Sequence, residues 1–376
     1  MTSTPESLIA DVVAFAATCR RKINEFDEAE VLCGLIGASG SGKSSLINAI
    51  AGERISAVGV VETTLEAQEF IHQGIKFVDL PGCGTIKFPQ EGYIEKLNLS
   101  IYDCFLLITA NRFTETDVFL FQELSKIGKL CFVIRNKFDA AVEDGMYDNG
   151  HSEEQTRKII TADILGNLSP SRPEKIYLVS ARKPIEYDLG NLLRDIAEAL
   201  QGLKQQRFVA DMGAYSQEAL KKKGKLARDR IPLYAVLAAA NGVNPIVGVD
   251  IAVDMSLLLK FGNEVAHIYG LTSSQFDYIK RLLGAGAIPV SVAKISQFSA
   301  KYLAKEGLVS LLKKTATRQA AKQTTKWIPI IGQLVAAGIG GSATFWICEQ
   351  IVNEAEQLAH EILSEIIENS KTVNGK

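Results

Sequence analysis

Hydrophobic and polar positions follow two different rules along this chain. From about residue 30 to residue 200, short apolar runs at 31–36, 65–71, 75–79, 102–110, 130–135 and 176–179 alternate with segments whose apolar residues return every three or four positions. The runs predict strands; the periodic segments, at 45–52, 114–127 and 151–168, predict helices. Two polar stretches, 53–64 and 140–150, hold no sustained period and read as loops. Strand and helix in alternation imply an α/β unit with a mainly parallel sheet covered on both faces. Any ligand then belongs at the carboxyl ends of the strands.

Elsewhere the period is helical. Leu8, Val12, Phe15, Cys19, Ile23 and Phe26 mark one face of a helix over 5–26. It precedes the first strand, so it is expected to pack on another domain. Beyond Gln201 the strand pattern disappears: 205–230 is helical in composition, 352–367 is amphipathic, and 369–376 is a polar tail expected to be disordered. The expected organisation is an N-terminal helix (1–29) packing on an all-α domain (204–368), an α/β domain (30–203) and the tail. A length of 376 residues suits two or three domains.

Two stretches of the second half are apolar enough to change the picture. Residues 231–259 carry charge only at Asp250 and Asp254, and 327–347 carry none, with Trp327 and Trp346 near the ends. Pro245-Ile246-Val247-Gly248 and Pro329-Ile330-Ile331-Gly332 echo each other, each placing Pro where a helix starts. The second stretch is long enough to cross a bilayer, and Gly338 with Ser342 offers a packing seam. Gln333 and the two aspartates favour helices buried in a bundle instead. Buried helices, a peripheral or hairpin membrane contact, and a span therefore all stay open. Lys221-Lys222-Lys223, Lys225, Arg228 and Arg230 likewise read either as a solvated helix face or as a contact for anionic headgroups.

Charge and cysteine usage narrow the class. Lys plus Arg is 41 against 43 for Asp plus Glu, which gives no ground for a nucleic-acid partner. The 6 cysteines show no C-x-x-C spacing and the 4 histidines are scattered, as expected of a reduced, cytoplasmic protein without a Cys/His metal cluster. The N-terminus reads as neither a signal peptide nor a myristoylation site, so attachment to an intracellular membrane would have to be internal.

The chemistry sits where the apolar runs end. After the first comes Gly37-Ala38-Ser39-Gly40-Ser41-Gly42-Lys43-Ser44, then Ser45 and an amphipathic helix. This is the G-x-x-x-x-G-K-S phosphate loop in its proper strand-to-helix context. Its glycines let backbone amides wrap phosphate oxygens, Lys43 can reach the β- and γ-phosphates, and the Ser44 hydroxyl can ligand Mg²⁺. The third run ends in Asp79-Leu80-Pro81-Gly82, where an Asp can hold Mg²⁺ through water and a Gly amide can meet the γ-phosphate. The fifth runs into Asn136-Lys137-Phe138-Asp139. N-K-x-D selects guanine, because the Asp carboxylate accepts from both the ring N–H and the exocyclic amine, and a wrong base leaves that buried carboxylate unpaired. The last run ends at Ser180-Ala181-Arg182, placed like a loop whose backbone contacts the guanine oxygen. These motifs arrive in GTPase order, and a plain ATPase would lack N-K-x-D. A Ras-like P-loop GTPase domain binding GTP or GDP with Mg²⁺ is the expected fold and function.

The run from Asp79 through Gly84-Thr85-Ile86-Lys87-Phe88-Pro89, with Tyr93-Ile94-Glu95-Lys96-Leu97, Tyr102-Asp103-Cys104-Phe105, Ala110-Asn111-Arg112-Phe113 and Asp117, resembles the immunity-related GTPases, a dynamin-like, interferon-inducible group. Gly59-Val60-Val61-Glu62-Thr63-Thr64 is similar to their first switch. By that resemblance Thr64 would ligand Mg²⁺ and sense the γ-phosphate, and Glu62 would be an interface residue, with Ser39 another contributor. Asn136 stands where members commonly show threonine, and the apolar C-terminal half looks more like a helical domain of some bacterial GTPases. The resemblance also implies GTP-dependent dimerisation or higher assembly across the nucleotide face, and membrane association through the helical domain.

The hydrolytic group is incomplete in the sequence. Many GTPases place glutamine directly after D-x-x-G to orient water, and Cys83 stands there. With Lys43, Thr64, Gly82 and Glu62 as the catalytic candidates, the missing group is expected from a second subunit. Otherwise the chain is a GTP-dependent switch or scaffold for a protein partner, with little intrinsic turnover.

Overall fold

The computed structural model describes residues 5–55, 68–111, 113–169, 173–241, 249–283, 289–319 and 341–374. Gly59–Thr64, Arg112, Pro245–Gly248 and Pro329–Gly332 lie outside them, as does most of 327–347. The chain divides into two compact units: residues 29–219 with 274–284 and 370–376, and residues 1–28 with 220–273 and 285–369.

The first unit is built on a sheet of β1 (Val31–Ile36), β2 (Gln68–His72), β3 (Ile75–Asp79), β4 (Cys104–Thr109), β5 (Leu130–Arg135) and β6 (Ile176–Leu178). They lie in the order β2-β3-β1-β4-β5-β6. Only the β2–β3 hairpin is antiparallel; β1 pairs in parallel with β3 and β4, β4 with β5 and β5 with β6. Parallel strands need helical crossovers, and the helical segments supply them. Between the strands lie α2 (Lys43–Ala51), the short α3 (Tyr93–Lys96), α4 (Glu115–Lys126), α5 (Phe138–Asn149) and α6 (Glu153–Asn167); α7 (Leu189–Ala199) and α8 (Gly202–Asp211) follow the last strand, and α1 (Pro5–Asp27) precedes the first and falls in the second unit. All of β4 is buried, as a central strand covered on both faces must be. Phe105, Leu107, Phe121, Leu124 and Val133 form part of one core face, each worth about 1.5–3 kcal/mol if fully buried.

Several elements depart from the period. The polar stretch expected as a loop over 140–150 is α5. Asp139 favours its first turn, Gly150 closes it in the left-handed conformation, and Phe138 is its buried residue, so there is too little apolar face to register as a period. The helical composition over 205–230 is two helices, α8 and α9 (Gln217–Asn241), parted at Gly213, whose amide donates to Ile50 O. α8 packs on β1 and β3, so the first unit reaches Ala219 rather than ending near 203.

The second unit holds α1, most of α9, α10 (Val249–Ile268), α12 (Pro289–Tyr302), α13 (Lys305–Gln319) and most of α14 (Gly341–Asn374); α11 (Ser273–Leu283) belongs mainly with the first. α14 continues through Asn374 where a disordered tail is expected. Ile362, Leu363 and Ile366 keep its apolar face, and neither Gly nor Pro interrupts it before Gly375. Tyr234 to Ala239 of α9 and Leu258, Phe261 and Val265 of α10 are buried within this unit. No helix of the described residues is long and apolar enough to cross a membrane. The basic cluster on α9 is dispersed: Lys223 and Arg230 are buried, Arg228 pairs with Glu356, and Lys225 pairs with Asp229. Arg230 also pairs with Glu264 and lies 3.9 Å from the Phe26 ring centroid.

Candidate functional site

Parallel strands bring their carboxyl ends to one edge, and the strand order makes β3, β1, β4, β5 and β6 neighbours there. The phosphate loop leaves β1 and enters α2. Gly42 caps α2 at φ +87°, and a Cβ on it would lie 2.5 Å from Asn136 Nδ2, so both conformation and space demand glycine. The loop's amides and the N-terminus of α2 create positive potential on this edge.

Lys43 is buried. Its ammonium donates to Gly37 O at 2.8 Å and Ala38 O at 3.4 Å, and stands 3.6 Å from Asp79 Oδ1 at the end of β3. The phosphate-loop cation and the β3 acid thus face each other in a low-dielectric corner. Ser41, Ser44 and Asp79 are buried there as well, while Ser39 and Gly82 are exposed and Ser45 is half-buried.

Asn136, fully buried after β5, donates from Nδ2 to Ser41 O at 3.0 Å and Gly42 O at 3.3 Å, and its amide donates to Thr109 O. Lys137 adopts φ +56° and donates to Gly40 O at 2.8 Å. N-K-x-D is therefore bonded to the phosphate loop by two side chains, which leaves Asp139 half-buried on the first turn of α5. Phe138 N donates to Val179 O and Val179 N to Arg135 O, so the ends of β5 and β6 are locked together. Ser180 Oγ accepts from the amides of Arg182 and Lys183, both at 3.2 Å, which folds the S-A-R loop tightly. Ser180 is buried, Ala181 half-buried and Arg182 exposed.

After D-x-x-G, the Tyr93 hydroxyl donates to Pro81 O at 2.6 Å. A buried tyrosine 12 positions on thus pins the strand exit, a role that no periodicity announces. Cys83 is half-buried, and burial pushes its thiol up to about 11. It is protonated at neutral pH and supplies no base. Asp117 has a structural part: with Thr114 it forms the capping box of α4, Thr114 Oγ1 donating to its carboxylate at 2.8 Å. Thr64 and Glu62 lie outside the described residues, so Gly37–Ser45, Asp79, Gly82, Asn136, Lys137, Asp139 and Ser180–Arg182 are the expected site residues gathered on this edge.

A glycine-rich phosphate loop between β1 and α2, on a mainly parallel sheet of this strand order with Asp79 and N-K-x-D at adjoining strand ends, defines a P-loop GTPase domain. The chain belongs to the interferon-inducible GTPase family (IIGP), whose sequence pattern matches residues 6–370. It is similar to Interferon-inducible GTPase 5 of Rattus norvegicus, 26% identical over 377 residues that cover 96% of this chain and 81% of the relative. It is also similar to Interferon-inducible GTPase 1 of Mus musculus, 26% identical over 69% of this chain and 66% of the relative. The first of these matches takes in the helical second half, where the motif resemblance thins. Among solved structures, a probable GTP-binding protein engB is 18% identical at a TM-score of 0.32, covering 46% of this chain and 98% of its own. The FeoB G-domain of Methanococcus jannaschii is 23% identical at 0.29, with the same coverages of 46% and 98%. Its membership of the interferon-inducible GTPase family makes the enzyme a GTPase, hydrolysing GTP.

Proposed function

We propose that GTP binds across the edge formed by Gly37–Ser45, Asp79, Gly82, Asn136–Asp139 and Ser180–Arg182, and that its hydrolysis to GDP is stimulated when a second copy docks over the nucleotide face. The observation that carries this reading is the direct bonding of Asn136 and Lys137 to the phosphate loop, which fixes the distance between a triphosphate and a base. Asp139 would read the guanine N–H and amine, and the Ser180–Arg182 backbone its oxygen. Lys43 would leave its loop carbonyls for the β- and γ-phosphates, neutralising charge that grows on the transferring group.

The Ser44 hydroxyl and the Asp79 carboxylate, hard oxygen donors buried beside Lys43, fit Mg²⁺, with Thr64 as a third contact. Once bound, the ion polarises phosphate oxygens. The water-orienting group is not Cys83, whose protonated thiol accepts poorly. That observation supports completion of the site in trans, with Glu62 or Ser39 at the interface. It equally supports the second reading, a GTP-dependent switch or scaffold that turns over slowly. In both, the helical unit couples nucleotide state to assembly or to contact with an intracellular membrane.

Turnover per subunit and molecular size, measured together against protein concentration with each guanine nucleotide, test the dimer reading. Both are expected to rise with GTP and not with GDP. Flat turnover at every concentration removes activation in trans and leaves the switch. Co-sedimentation with liposomes tests the membrane contact, which fails if the protein stays in the supernatant in every nucleotide state.

A further inference from the structure

Around the proposed base site, one assembly of side chains is left unused by the chemistry above. Phe138, the variable residue of N-K-x-D, is fully buried. Tyr187 meets its ring edge-on at 5.0 Å between centroids, and the Arg157 guanidinium of α6 lies 5.0 Å from the same centroid. Arg157 Nη1 also donates to Asp188 Oδ2 at 2.6 Å. Asp188 closes the S-A-R loop: its Oδ2 accepts from Leu178 N at 3.0 Å, and its own amide donates to Leu178 O at 3.0 Å. Arg157 therefore touches the core of one base loop and the clasp of the other.

We propose that Arg157, acting through Phe138 and Asp188, is a positioning residue that sets the separation of the Asp139 carboxylate from the Ser180–Arg182 backbone, and so sets selectivity for guanine over bases lacking its exocyclic amine. The proposal rests on the guanine reading given above. Two groups that grip neighbouring atoms along one edge of a rigid base must hold their spacing to a fraction of an ångström, since hydrogen bonds weaken steeply with distance and angle. A guanidinium suits this because its plane can lie against a ring while its fork bonds a carboxylate. Lysine keeps the charge but loses the planar contact.

The test is competition of GDP, IDP, ADP and inorganic tripolyphosphate against a fluorescent GDP analogue on the full chain, for wild type, Arg157→Ala, Arg157→Lys and Asp188→Asn. IDP lacks the exocyclic amine, and tripolyphosphate reports the phosphate loop alone. In Arg157→Ala, GDP is expected to weaken about tenfold, equivalent to about 1.4 kcal/mol. Its advantage over IDP should shrink, tripolyphosphate should be unchanged, and Arg157→Lys should restore part of the selectivity. Arg157 is one-third exposed, and the lysine variant keeps the test readable should the alanine variant fold poorly. Unchanged GDP-to-IDP ratios in the variants, or equal weakening of every ligand including tripolyphosphate, overturn the proposal alone. A wild-type chain binding GDP and ADP equally overturns the guanine reading with it.

Discussion

Two kinds of residue surround the site, and they leave different traces. Lys43, Asn136 and Asp139 belong to the G-x-x-x-x-G-K-S and N-K-x-D patterns, which require particular residue types at fixed short spacing, so the sequence announces them. Tyr93, Arg157 and Asp188 act through contacts between distant segments. A tyrosine bonded to a carbonyl or an arginine laid on a ring has no local pattern, and these roles emerge only with the fold. Asp195 of α7 is another of this kind. Burial alone would raise its carboxyl, yet bonds from Lys175 at 2.7 Å, Arg194 at 2.9 Å and Tyr177 at 2.8 Å outweigh burial and hold it at about 2, below its ordinary 3.8. A carboxylate so lowered stabilises the fold fully above its unfolded value, and that stability is lost as pH falls from about 4 through about 2. Asp195→Asn is expected to lower the melting temperature at pH 7 and to flatten the decline between those pH values. Thermal unfolding followed by circular dichroism across that range checks it; parallel acid profiles for the two proteins would contradict it.

Strands were legible as elements because a central strand must be apolar along its length, and 75–79 and 130–135 coincide with β3 and β5. α5 was not, because its stability comes from its ends and one buried ring rather than from an apolar stripe. α8 was visible as a helix and invisible as a partner of the sheet. It is fastened at the β2–β3 turn, where Asp211, fully buried, takes a bidentate pair from Arg207 with both contacts at 2.6 Å and accepts from Gly74 N at 2.9 Å. His72 bonds the Asp211 carbonyl at 3.0 Å. A Cβ at residue 74 would lie 2.3 Å from Arg207 Nε, which explains the glycine there. Removing one partner of a buried pair strands the other, so Asp211→Ala is expected to cost about 3–5 kcal/mol, read as a lower urea midpoint. Replacing both, as Arg207→Met with Asp211→Leu, should cost less. A loss under about 1 kcal/mol in the single variant would show that the clasp is not a stabilising element.

For the whole molecule, the change of period near residue 200 announced a division of the chain, and the structure moves it to Ala219 and Leu220, inside α9. The shift has a local cause: α8 carries helical periodicity but spends its buried face on β1 and β3. Of the apolar stretch over 231–259, residues 231–241 lie in α9 and 249–259 in α10, and Tyr234 to Ala239 of α9 are core of the second unit. Family membership spans both units, since the match runs over residues 6–370. The central claim concerns the first: its strand ends form one site for a guanine nucleotide. Calorimetric titration of the full chain, in Mg²⁺, with a slowly hydrolysed GTP analogue and its adenosine counterpart tests that claim most directly. Saturable heat with the guanosine compound and binding at least about 1,000-fold weaker with the adenosine compound is the expected result; equal affinities, or no heat with either, would contradict it.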